Sequence, residues 1–235
     1  QPLLPWVYRL WSAGFPVPLA GGSGKDSNRV PLGGMRTYAQ IPGNEITTYS
    51  KWTDAIRAGR TFVTNGPLIS LAANGHGPGA TFDFPADDGP LRITATARSL
   101  QPFEKLEIIA GGQVLASDSP IADPGGIFTT TVNFLHSPAD GGWLAARCWA
   151  AAGAMLHPNS PTFAHTSPIF VRPAGQAIPR QPAAIPPLRQ AVERSREWVE
   201  THGRFTSEKR KQQLLGHHDR ALARLDAFVP GGARV

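Results

Sequence analysis

The residues best placed to do chemistry lie in one polar loop, Gly21-Gly22-Ser23-Gly24-Lys25-Asp26-Ser27-Asn28-Arg29. In α/β proteins, loops of this kind at strand ends carry binding and catalysis, because the scaffold beneath them is rigid. The Gly21–Gly24 run offers backbone N–H groups that can cradle a phosphate. It does not match the P-loop spacing, and tight turns alone account for its glycines. Asp26 and Asn28 have the short polar side chains that close turns on nearby backbone. Arg29 and Arg36 can grip an anionic substrate group bidentately, or serve as solvated or salt-bridged arginines. Asn65, in Thr64-Asn65-Gly66-Pro67, reads as a substrate contact or as a turn residue. His165, in Ala164-His165-Thr166-Ser167-Pro168, has the chemistry of a general acid, or of a partly buried histidine pinning a contact. No G-x-S-x-G elbow accompanies it. His217 and His218 are adjacent, so on a helix they point about 100° apart and do not form a chelating i, i+4 pair.

The elements that must position these residues fall into three stretches. Residues 1–68 read as α/β. Trp6–Ala13 has a helix pattern ended by Gly14, Phe15–Ala20 is a short strand that delivers the loop, and Arg36–Ile41 is a second strand. Thr48–Ala58 is a helix with Trp52, Ala55 and Ile56 on its apolar face, and Thr61–Thr64 is a strand. Residues 69–173 read as a mainly antiparallel β-sandwich. Leu91, Ile93, Ala95 and Ala97 alternate with polar partners, as do Phe128, Thr130, Val132 and Phe134. Leu106 and Ile108, then Gly111-Gly112, then Val114-Leu115 give a hairpin signal. Trp143–Ala150 and Ile169–Arg172 supply further strands. Residues 174–187 form a Pro/Ala-rich linker that should be extended. Residues 188–235 read as a helical hairpin. Leu188, Val192, Trp198 and Val199 line the first helix, and Leu214, Leu215, Leu222, Leu225 and Phe228 the second. Thr206 or Ser207 opens the second helix.

Composition narrows the function classes. The chain has 235 residues, 25 of them Gly and 23 Pro, which favours loops and short strands over long helices. A single cysteine, Cys148, excludes an intrachain disulfide and reads as a buried, inert thiol. The longest apolar run, Trp143–Leu156, is too short to span a membrane and contains Arg147. The net charge of +6 is uneven, because residues 174–235 hold 11 Lys/Arg against 6 Asp/Glu. A solvated helix face accounts for this tail, and no nucleic-acid motif or aromatic platform accompanies it. Trp143 and Trp149 are the sandwich tryptophans available for stacking on a sugar.

Three phrases, taken together and in order, resemble one family. They are YRLWSAGFPVPLAGGSGKDSN, RTYAQIP with RAGRTFVTNGPL, and LEIIAGGQVLA with GGWLAARC and FAHTSPIFV. They are similar to the C-terminal portion of the CehA/McbA family of metal-dependent hydrolases, in the PHP (polymerase and histidinol phosphatase) superfamily. The resemblance covers about residues 3–173. It implies that residues 1–68 end a PHP-like distorted β/α barrel, that the sandwich supports it, and that the chain is the back half of a larger protein. The expected partners are the N-terminal part of the same barrel and a small-molecule substrate, with no nucleic acid. In the parent, a divalent metal (zinc, manganese or iron) would activate water against an ester, carbamate or phosphoester. This stretch alone would hold none and be inactive, since the family's opening His-x-His motif is not in it. The family's last barrel strand usually ends in an Asp ligand. Here Gly24 or Lys25 takes that place and Asp26 stands two residues on. The resemblance therefore makes Asp26 the candidate metal ligand and Lys25 a cationic substitute or an anion binder. His165 becomes the candidate catalytic acid, with Arg29, Arg36 and Asn65 as substrate contacts. The alternative is a non-catalytic binding or scaffolding module from a parent with a degenerate metal site.

Overall fold

The computed structural model describes residues 3–28, 30–43, 47–85, 89–137, 141–150, 155–157 and 160–228. In chain order the elements begin α1 (Leu4–Ser12), β1 (Arg36–Ala39), α2 (Tyr49–Arg57), β2 (Thr61–Thr64), β3 (Leu68–Ala73), β4 (Thr81–Phe84) and β5 (Leu91–Ser99). They continue β6 (Lys105–Ala110), β7 (Gln113–Asp118), β8 (Ile121–Ala122), β9 (Phe128–His136), β10 (Gly142–Trp149), β11 (Met155–His157) and β12 (Ser160–Pro161). The last are β13 (Phe163–Thr166), β14 (Ile169–Pro173), α3 (Ile185–His202) and α4 (Glu208–Asp226). The chain divides into two compact units, Pro16–Pro179 and a helical unit built from both ends, Gln1–Phe15 with Arg180–Val235.

The larger unit is a mainly antiparallel pair of sheets. One sheet has eight strands in the order β1-β2-β13-β10-β14-β4, with β6 on the other edge of β10 and β7 beyond it. The second is β3-β5-β9-β8. β11 and β12 form a separate two-stranded pair. Alternation dictates the packing: Leu91, Ile93, Ala95 and Ala97 of β5 face inward and are fully buried. They share one core with Leu106 and Ile108 of β6, Leu144, Ala146 and Cys148 of β10, and Ile169 and Val171 of β14. Residues 16–68 are not separate from this arrangement. β2 pairs with β13 through His165↔Val63, so β1 and β2 extend the larger sheet. Burial pushes the Cys148 thiol up to about 12, which fits an inert core position.

Several elements follow directly from local chemistry. Gly111 and Gly112 form the two-residue turn of the β6–β7 hairpin, with φ of +56° and +89°, the left-handed pair that a type I′ turn requires. Thr48 caps α2 through Lys51 N, and Ser207 caps α4 through Arg210 N. β13 and β14 both pair with β10, and Ser167-Pro168 separates them. Pro168 has no N–H for the ladder, and Thr166 Oγ1 accepts the Ala146 N–H at 3.0 Å next to the break.

Phe15–Ala20, expected as a strand, has no ladder pairing. Pro16 and Pro18 lack donors, and side chains take both backbone groups of Leu19 (below). The expected linker 174–187 is shorter than its composition suggests, because α3 begins at Ile185. Pro186 and Pro187 fall in its first turn, where a missing N–H costs nothing.

In the helical unit, Ala13, Ala184, Ile185, Leu188 and Leu225 form the core, with Trp6, Leu10, Phe15, Val192 and Phe228 against it. The backbone N–H of Gln181 donates to Ser12 O at 2.7 Å, joining the two ends of the chain. α3 and α4 run antiparallel in a fixed register: Arg189 pairs with Asp226 at 2.9 Å and Arg196 with Asp219 at 2.7 Å, seven residues along each helix. No helix among the described residues is long and apolar enough to cross a membrane.

Candidate functional site

The glycine-rich loop stands on a foundation of hydroxyl groups. Leu19 N–H donates to Ser167 Oγ at 2.8 Å, and Thr61 Oγ1 donates to Leu19 O at 2.7 Å. The two hydroxyls lie 2.7 Å apart. Thr61's proton is used on Leu19 O, so Ser167 must donate to Thr61. The result is a closed, buried chain in which every donor is used. Further along, Thr37 Oγ1 accepts from Gly21 N at 2.8 Å and donates to Gly21 O at 2.7 Å. Ser23 Oγ bridges Met35 N and O in the same way, at 3.3 and 3.4 Å. Side-chain hydroxyls thus hold residues 19–23 beside β1 and β2 where strand pairing would otherwise do so.

Beyond Ser23 the loop folds on itself. Lys25 Nζ donates to Ser27 O at 2.9 Å and to Val30 O at 3.2 Å. Its ammonium therefore stabilises the loop and keeps one donor uncommitted. Asp26 is exposed, and among the described residues it has no hydrogen bond or ion pair. Arg36 Nη1 donates to Gly33 O at 2.6 Å, while its Nε is buried without a hydrogen-bond partner. Arg29 lies outside the described residues. Lys25 and Arg36 thus both donate to backbone carbonyls of this loop, at Ser27, Val30 and Gly33.

The other two candidates are placed elsewhere. Asn65 is 1 % exposed and clamps the β2–β13 pairing. Its Nδ2 donates to Pro161 O at 2.6 Å, and its Oδ1 accepts from Phe163 N at 2.7 Å. His165 sits on β13 with no exposed surface, and its Nδ1–H donates to Thr166 O at 2.7 Å. Burial pushes its pKa down to about 4; the Thr166 carbonyl opposes this and the Arg147 charge adds to it. The ring is therefore neutral at pH 7 and shielded from solvent. Arg147, its cross-strand partner, is paired with Glu107 at 2.8 Å and lies over the Trp149 ring at 4.2 Å. That guanidinium covers one Trp149 face, and Trp143, 2 % exposed, offers no open sugar platform. Trp198, expected to pack, is instead 61 % exposed and stacks on His202.

A resident metal can be tested against the donors. Among the described residues, no three His, Cys, Asp or Glu side chains converge as a metal-holding group. A zinc, manganese or iron site needs at least three such ligands, so these residues do not form one by themselves. The residues missed by sequence reasoning are Thr37, Thr61 and Ser167. Their partners are 16 to 148 residues away in the chain, a separation that leaves no local pattern.

No family model, curated protein or solved structure matches the chain. The class is accordingly defined by architecture: a mixed α+β protein, mostly strands, with a C-terminal helical pair.

Proposed function

We propose that the chain is the C-terminal part of a PHP-type metal-dependent hydrolase, and that its glycine-rich loop presents Asp26 to a metal site completed by the N-terminal part of the same barrel. The parent would hydrolyse an ester, carbamate or phosphoester. The observation that carries this reading is Asp26 itself, an exposed carboxylate without a partner among the described residues, on a loop whose base is fixed by hydroxyl bonds. Such a carboxylate is free to ligate, and its anchoring limits the entropy lost on doing so. The three sequence phrases described above support the same reading. One ligand cannot hold an ion against water, so residues 1–235 alone should be inactive.

A second reading is a non-catalytic anion-binding module. The buried, unpartnered Nε of Arg36 favours it, because an unpaired guanidinium nitrogen is costly unless an acceptor arrives.

Elemental analysis of the full-length protein, purified without chelator, beside Asp26→Ala tests both. Stoichiometric zinc, manganese or iron that falls in the variant supports the first reading. Metal retained in the variant removes Asp26 from the ligand set. No metal in either protein overturns the hydrolase reading and leaves the anion module.

A further inference from the structure

Charge is divided between the two units in an unequal way. Residues 16–179 carry 11 Lys/Arg and 11 Asp/Glu, so the entire net charge of +6 sits on the helical unit. That unit also contains an open groove of about 570 Å³, lined by Leu10 of α1, Phe15, and one face each of α3 and α4. The lining follows helical spacing. Leu188, Ala191, Val192 and Ser195 come from α3; Leu214, His217, His218, Ala221, Arg224 and Leu225 come from α4. Alanines stand where larger residues would fill the space, at 191 and 221. A groove of this size falls in the range that takes a single small ligand.

The floor is apolar and the polar groups stand on α3 and α4. His218 is committed: its Nδ1–H donates to Leu214 O at 2.9 Å, so its Nε2 accepts from Ser195 Oγ at 3.0 Å. His217 Nδ1 accepts from Arg220 at 2.9 Å, which places the proton of the neutral ring on Nε2. That N–H has no partner among the described residues. Arg224 lies over the Phe15 ring at 5.4 Å, is exposed, and has no carboxylate partner among the described residues. Arg189 and Arg196, by contrast, each hold two carboxylates. Two uncommitted donors, on Arg224 and His217, therefore stand on the groove, while the four acids held by Arg189 and Arg196 are not among its lining residues.

We propose that this groove binds a free single-chain carboxylate, with the hydrocarbon between α3 and α4 and the carboxylate on Arg224 and His217 Nε2. The inference is independent of the hydrolase reading, which concerns the other unit. The probe is decanoate, below its micelle concentration, titrated calorimetrically into the full chain beside decanol. One decanoate should bind per chain, about tenfold tighter than decanol, as expected for a charge-assisted hydrogen bond. Arg224→Gln, an exposed substitution, should abolish that preference while leaving decanol binding unchanged. Ala191→Leu with Ala221→Leu should abolish both, with the circular dichroism of the helices retained. No saturable binding, equal binding of acid and alcohol, or a preference that survives Arg224→Gln would overturn the proposal. So would binding to anionic phospholipid vesicles without binding of free decanoate.

Discussion

His165 shows how one residue can be legible in type and not in role. Its folded pKa of about 4 lies below the 6.5 of an ordinary histidine, so the unfolded chain takes up its proton first as pH falls. Stability should fall between pH 6.5 and 4 and be unaffected by this residue outside that window. The loss between pH 7.5 and 4.5 should be about 2–3 kcal/mol greater in the wild type than in His165→Gln, measured by urea unfolding. Parallel pH slopes in the two proteins would refute this. The sequence singles out His165 because histidine carries proton chemistry, but burial is set by strands far apart in the chain. Asn65 is similar: its turn context is local, while its two clamp bonds reach Pro161 and Phe163, 96 and 98 residues away. Lys25, in contrast, is held locally, by the carbonyls of Ser27 and Val30 two and five residues on.

Elements were legible where pattern and punctuation agree. β5 and β9 follow alternation, β6 and β7 the Gly111-Gly112 turn, and β10 and β14 apolar runs bounded by turns, while α2 follows its apolar spacing and α4 its opening at Ser207. β3, β4 and β13 were not, for physical reasons. β3 mixes apolar and small residues over Leu68–Ala73 and ends near a residue in the left-handed region, Asn74 with φ +46°. β13 is buried at every position, so it shows no alternation. β4 has only four residues and is held by parallel pairing with β14, a contact no local signal announces. One close approach between elements can be tested. Gly79 has φ +85°, and a Cβ there would lie 2.0 Å from Ala58 O, a backbone atom at the end of α2. Gly24 has φ +58° with open space around it. Gly79→Ala should therefore cost about 3 kcal/mol or more, by conformation and clash together. Gly24→Ala should cost only about 1–2 kcal/mol, from conformation alone. Thermal unfolding of the pair measures the difference, and equal shifts would show that the α2–β4 approach tolerates a methyl group.

At the scale of the whole molecule, the helical unit is discontinuous in sequence. Its core joins Ala13 to Ala184, Ile185 and Leu225, and the Ser12–Gln181 bond places the two crossings side by side. Composition marks the Pro-rich return near residue 180, but nothing local says that α1 belongs with α3 and α4. That pairing is encoded only in which apolar faces complete one another. It also sets an order of assembly. Docking α1 on α3 closes a loop of roughly 165 residues, an entropy cost that is large unless the intervening chain is already compact. The intervening unit has its own two-sheet core and shares none of its core residues with the helices. Residues 16–179 should therefore fold alone, with cooperative unfolding and the β-sheet circular dichroism of the full chain. Removing residues 1–15 should instead loosen the α3–α4 pair, which loses Trp6, Leu10 and Ala13 from its core. Hydrogen exchange on that truncated chain should show α3 and α4 amides losing protection while β5, β6 and β10 keep theirs. Uniform loss of protection across both units would mean that the sandwich depends on the helices for its stability. The order of assembly would then run through the termini.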